Sequence, residues 1–163
     1  MTTRGRKPEV TVSTDGSCLR NPGAYGWAVV EHGSDFKLLG GASYGTNQIA
    51  ELTAVLMALK TYAPFSQRAV EKLIIQSDSI YAINSSTTWL AKWKRNNWKN
   101  SKKDTIANLE LIRAIDDEIV KRKQHGGLLE FIWVKGHNND KYNELADEYA
   151  RKAALSEKST TEN

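Results

Sequence analysis

The sequence carries a single cysteine, Cys18, in 163 residues. An internal disulfide is therefore excluded, and no Cys/His group has the spacing of zinc ligands. No apolar run approaches the roughly 18 residues that a membrane-spanning helix needs. The cationic N-terminal residues lead into no apolar segment and do not read as a secretory signal. A cytoplasmic location without membrane contact is the expectation. Internal repeats, low-complexity segments and linker-like stretches are also lacking. One further absence is local: between Asp78 and Asp104 there is no acidic residue.

What remains is an ordinary globular composition, 40% hydrophobic and 26% charged, in a length that suits one domain with a sizeable core. The formal net charge of +4 mildly favours a polyanionic partner. Residues 1–8 and 156–163 are polar and aperiodic and read as frayed, disordered tails around a domain over 9–155.

Along the chain, Val10-Thr-Val-Ser-Thr-Asp15 alternates β-branched residues and reads as a strand that delivers a carboxylate at its end. Taken alone, Asp15-Gly16 reads equally as a hairpin turn. Two more strands follow, over 24–30 and about 36–44, joined by short turns that suggest an antiparallel meander. The period then changes to that of a helix. Asn47 is a good cap, Ile49, Leu52, Leu56 and Leu59 recur at helical spacing, and Pro64 stops the run. Residues 72–76 form a short buried strand that ends at Asp78. Helical or turn-like segments fill 79–95, and a longer helix is expected from about Asp104 to Lys123. A last strand covers 128–134, and after a loop a final helix runs from about Lys141 to Leu155. The expected fold is α/β: a five-stranded mixed sheet, strands one to three antiparallel and the later strands parallel to strand one, with helices on both faces.

In open α/β sheets, sites form beyond the carboxyl ends of strands. Asp15 and Asp78 end strands, Glu51 lies in the early turns of a helix, and Asp147 lies in the final helix. Each has a plainer reading. Glu51 suits a helix N-terminus, Asp78 could cap the next helix, and Asp147 could pair with Arg151 one turn on. His137, in a polar loop beside Gly136, is unlike a core histidine and titrates near neutral pH. His32 and His125 sit in turns and receive no role.

The ordered set Asp15-Gly16-Ser17, Asn21-Pro22-Gly23, Thr46-Asn47 with Glu51, Ser77-Asp78-Ser79, Trp133-Val-Lys-Gly-His137 and Asn143-Glu144 with Ala146-Asp147 closely resembles a type 1 ribonuclease H. The order and spacing agree from about Val10 to Ala154. The resemblance implies a ribonuclease H-like sheet and a largely sequence-independent endoribonuclease that cuts the RNA strand of RNA/DNA hybrids, leaving 5′-phosphate ends. It carries metal binding to Asp15, Glu51, Asp78 and Asp147, with two magnesium or manganese ions, and proton transfer or product release to His137. Hard carboxylate oxygens suit magnesium, and a cation pair relieves the repulsion among clustered acids. A noncatalytic hybrid-binding module, or a related DNA resolvase or exonuclease, is the alternative. A monomer is expected.

The acid-free stretch interleaves cations with tryptophans: Trp89, Lys92, Trp93, Lys94, Arg95, Trp98, Lys99, Lys102 and Lys103. Such cations suit phosphates. Trp89 and Trp93, one helical turn apart, read as core, although Trp89 and Trp98 also count among candidate contacts. The stretch resembles the basic protrusion with which some type 1 ribonucleases H hold substrate. Gly16, Ser17, Asn21, Asn47 and Gln48 lie where the resemblance puts other substrate contacts, Gly16 by leaving room beside the backbone. Two residues depart from the family pattern. Ile80 stands where some members have a polar contact residue, and Asn139 replaces a common glycine, a change that asparagine's tolerance of left-handed backbone permits.

Overall fold

The computed structural model describes residues 7–136 and 139–162. Three strands, β1 (Lys7–Cys18), β2 (Gly23–Glu31) and β3 (Lys37–Gly45), lead into helix α1 (Asn47–Thr61). Strand β4 (Val70–Ser77) is followed by α2 (Ile80–Ser86), α3 (Thr88–Arg95) and α4 (Leu109–Gln124), and then by β5 (Leu128–Trp133) and α5 (Lys141–Glu162). The sheet has five strands in the order β3-β2-β1-β4-β5. β1 pairs antiparallel with β2, and β2 antiparallel with β3, while β4 lies parallel to both β1 and β5. The expected mixed sheet is the one observed.

Side chains alternate across β1, so Val10 and Val12 face one layer and Ser13 and Asp15 the other. The first layer is the main core, in which Val12, Leu73 and Ile75 of the sheet meet Leu52, Val55 and Leu59 of α1 and Ile112 and Ile115 of α4. The second face is covered by α5. There Gly26, the register partner of Ser17, lies so close to Ala150 and Ala154 that a Cβ would overlap them.

Several boundaries differ from the sequence reading for identifiable reasons. β1 does not end at Asp15, because residues 15–18 continue the ladder opposite Ala28 to Tyr25. The hairpin-turn reading of Asp15-Gly16 is thereby overturned. The cap of α1 is Thr46 rather than Asn47, its hydroxyl accepting the Ile49 amide. Helix α4 starts at Leu109, not Asp104, because residues 99–105 close a turn of their own. In that turn Asn100 Oδ1 accepts the amides of Lys102 and Asp104, and Asn108 adopts φ 60° before the helix can begin. Helix α5 continues to Glu162, where a tail was expected after Leu155. No glycine or proline follows Leu155 to interrupt its backbone ladder. Arg122, in the last turn of α4, is buried, and it donates to the carbonyls of Tyr62, Val70 and Leu128.

Candidate active site

Where β4 stops, the flank of β1 opens. The parallel ladder ends at Thr14 opposite Ser77, and Asp15 on one strand and Asp78 on the other follow immediately. The cap of α2 falls to Ser79, whose hydroxyl accepts the Ala82 amide, so Asp78 is not the capping residue. The Asp78 carbonyl accepts the Trp133 indole N–H at 3.1 Å, which ties the corner to the end of β5. From the loop beyond β5, Gly136 lies against the Asp78 carboxylate: a Cβ there would sit 2.9 Å from Asp78 Oδ2.

Glu51 arrives from the opposite face. A Cβ on Gly16 would overlap the backbone of Ala50 and Glu51, so the missing side chain is what lets α1 settle onto β1 at this level. The space expected beside Gly16 for substrate is taken by the helix. As a result, Asp15, Glu51 and Asp78 each offer a carboxylate oxygen, and these oxygens all lie within 4.8 Å of one another. Asp15 is buried, its Oδ1 accepting the Gly16 amide at 2.9 Å. Glu51 Oε2 is buried with no hydrogen-bond partner among the described residues.

The electrostatics follow from this crowding. Burial first, and then the charge of Asp78, push the Asp15 carboxyl up to about 7. Glu51 is raised well above the usual carboxylate range, chiefly by burial and then by the charge of Asp15, with which it shares a side-chain hydrogen bond. Acids held this way take up a cation or a proton in preference to staying bare. An orphaned buried oxygen beside two converging carboxylates is the donor set a hard divalent cation takes, so the residues present fit such an ion.

Asp147 is placed at the rim. Its charge also raises Asp15, while its Oδ2 accepts Arg151 at 2.7 Å, the plainer pairing weighed for it. His137 lies outside the described residues, as does Asn138. Asn139 has φ 60°, the left-handed conformation its side chain was expected to tolerate. Asn21 and Asn47 are linked: Asn21 Oδ1 accepts the Asn47 backbone amide at 3.2 Å and Asn47 Oδ1 accepts the Cys18 amide at 3.1 Å. Gln48 Oε1 accepts from Asn108 Nδ2 at 3.3 Å, a contact between α1 and the residue before α4. Ile80 is exposed.

The basic segment divides into two kinds of residue. Trp89, read as core, is 37% exposed, and Leu90 fills the buried position of α3 instead. Trp93 is half-buried, and its ring lies 5.9 Å from that of Trp89. Trp98 is also half-buried, under the Arg113 guanidinium. Lys94 is committed to the buried Asp116 at 2.9 Å, whereas Lys92, Arg95 and Lys99 are exposed.

The family model for RNase H matches residues 7–155. The chain belongs to the ribonuclease H family. A Ribonuclease H from Wolbachia sp. subsp. Drosophila simulans (strain wRi) is 40% identical over 151 residues, covering 91% of this chain and 97% of the relative. Among solved structures, this RNase H is similar to LC9-RNase H1, described as a type 1 RNase H with the type 2 active-site motif. The TM-score is 0.73 at 25% identity, over 93% of this chain and 74% of that one. It shares its fold with the foamy viral protease-reverse transcriptase solved in complex with RNA/DNA hybrid, at a TM-score of 0.74 and 20% identity. That match covers 96% of this chain and only 21% of the other. Among the described residues, no helix of this RNase H is long and apolar enough to cross a membrane.

Proposed function

We propose that this ribonuclease H hydrolyses the RNA strand of RNA/DNA hybrids endonucleolytically, leaving 5′-phosphate ends, with magnesium or manganese held as a pair of ions by Asp15, Glu51, Asp78 and Asp147. The observation that carries the reading is the convergence of three carboxylates from β1, α1 and the end of β4 within 4.8 Å. A noncatalytic binding module has no use for buried acids at that spacing, which cost stability unless a ligand occupies them. Bound divalent cations supply charge neutralisation for the attacking and leaving oxygens of a phosphodiester.

The chain's own residues do the rest. Asp15 and Glu51 would hold such a cation through their ionised carboxylates, and the rigid strand under Asp15 fixes the position of its oxygens. Asp147 must exchange its Arg151 partner to take part. His137, next in sequence to Gly136, takes or gives the proton at the reacting oxygens or helps the product leave. The amides of Asn21 and Asn47, with Gln48 and Ser17 at the same end of the sheet, meet the sugar-phosphate backbone, while Gly16 serves by letting α1 bring Glu51 to the site. The 2′-hydroxyl is the mark by which they tell RNA from DNA. Lys92, Arg95 and Lys99, with Trp89 and Trp98, hold the duplex through its phosphates without reading bases; Lys94 supports them through Asp116. A cytoplasmic monomer completes the reading. The test is Asp15→Asn and Asp78→Asn: each abolishes cleavage while hybrid binding persists, and undiminished turnover in either defeats the assignment.

A further inference from the structure

Strand β1 and helix α5 advance in step along the face that carries Asp15. Ser13, two residues before Asp15, points to the same side of the sheet and is hydrogen-bonded through Oγ to His32 Nε2 at 2.8 Å. The His32 ring in turn stacks on Tyr142, with centroids 4.0 Å apart and planes 16° apart. Gly33, next in the same turn, donates its amide to the Tyr142 hydroxyl at 2.9 Å. Tyr142 is the second residue of α5, and Asp140 Oδ1 accepts the amides of Tyr142 and Asn143 to close the first turn. The turn between β2 and β3 thus grips the start of α5 by a ring face, a hydroxyl and, through His32, the buried Ser13.

From this grip the two elements climb together. Ser13 to Asp15 is about 7 Å along a strand. Tyr142 to Asp147 is about 7.5 Å along a helix. Higher still, Ala150 and Ala154 meet Gly26, the partner of Ser17. The start of α5 is therefore held at the level of Ser13, and the helix delivers Asp147 at the level of Asp15.

We propose that His32 and Tyr142 are positioning residues, a stacked clamp between the β2–β3 turn and the first turn of α5 that holds Asp147 opposite Asp15. The inference rests on the reading of Asp147 as part of the nuclease site. Neither residue touches the reacting groups. The clamp sets the distance across which Asp147 completes the acid cluster.

The test is steady-state cleavage of an RNA/DNA hybrid by the full chain in magnesium, with magnesium binding measured separately by calorimetry in the absence of hybrid. Tyr142→Ala and His32→Ala are each expected to lower kcat about tenfold and to weaken magnesium binding by a similar factor, while KM for hybrid stays within about twofold. Tyr142→Phe, which keeps the stacked ring, recovers most of the lost kcat. Alanine variants that keep wild-type kcat and magnesium affinity overturn the clamp, even if their melting temperatures fall. So does a loss confined to KM. Should Tyr142→Ala fail to fold, His32→Ala carries the same comparison from an exterior turn. A wild-type chain that leaves the hybrid uncut overturns the nuclease reading itself, whereas an active wild type with unaffected variants overturns the clamp alone.

Discussion

Asp15 and Glu51 reach each other from opposite faces of the sheet because Gly16, between them, has no side chain to hold α1 away. Glycine is needed here for close approach rather than for a turn, since residue 16 continues the β1 ladder opposite Trp27. Gly16→Ala would drive a methyl group into the backbone of Ala50 and Glu51. The expected cost is about 2 kcal/mol or more in urea unfolding, together with loss of cleavage as Glu51 is displaced. Unchanged stability would mean that α1 can slide without consequence.

The proton affinity of Asp15 makes the metal-free protein sensitive to pH in a defined direction. Its folded carboxyl is raised from 3.8 to about 7. The stability this contributes is full below the unfolded value and is lost as pH rises through the folded one. Metal-free protein should therefore weaken between about pH 4 and pH 7, and magnesium should restore stability at the upper end. Asp15→Asn should unfold at higher urea than the wild type at pH 8 in chelator, by on the order of 1–3 kcal/mol, with the gap closing toward pH 4. A gap independent of pH would contradict the shift.

Far from the site, Glu31 behaves in the opposite sense. Burial pushes it up, but hydrogen bonds from Ser34 at 2.6 Å, Tyr62 at 2.7 Å and Arg68 at 3.2 Å outweigh burial and hold it below its usual range. Its contribution is present above the unfolded value and lost as pH falls through the folded one. Glu31→Gln should cost about 1–3 kcal/mol at pH 7 and progressively less in acid, read from denaturation curves across pH.

The cations of the α3 region should separate by partner. Replacing Lys92, Arg95 and Lys99 with alanine in an Asp78→Asn background should weaken hybrid binding and reduce the salt slope by up to about 2–3. Lys94→Ala should act mainly on stability, because it strips Asp116 of its ion pair. Fluorescence anisotropy against salt, alongside melting curves, distinguishes the two.

The order of the acids, the strand directions and the helical crossovers were legible because alternation, helical spacing and the flanking motifs are local properties of the chain. What was not legible depends on partners distant in sequence. Lys94 looked like a phosphate contact because Asp116 comes 22 residues later on another helix. Gly16 was read as room for substrate because the position of α1 is a packing result. Trp89 at its helical spacing suggested core, but Leu90 took that position. His32 in its turn gave no sign of Tyr142, which is 110 residues away in the sequence and reaches it only through the sheet and α5. Competing caps one residue apart, Thr46 and Asn47, could not be separated by propensity alone.

The central claim is tested most directly by presenting the wild-type chain and Asp78→Asn with end-labelled RNA/DNA hybrid, duplex RNA, duplex DNA and single-stranded RNA, each with magnesium and with chelator. The account predicts internal cleavage of the RNA strand of the hybrid alone, only with magnesium and only by the wild type. Cleavage that survives chelation, or that Asp78→Asn carries out as well as the wild type, would contradict it.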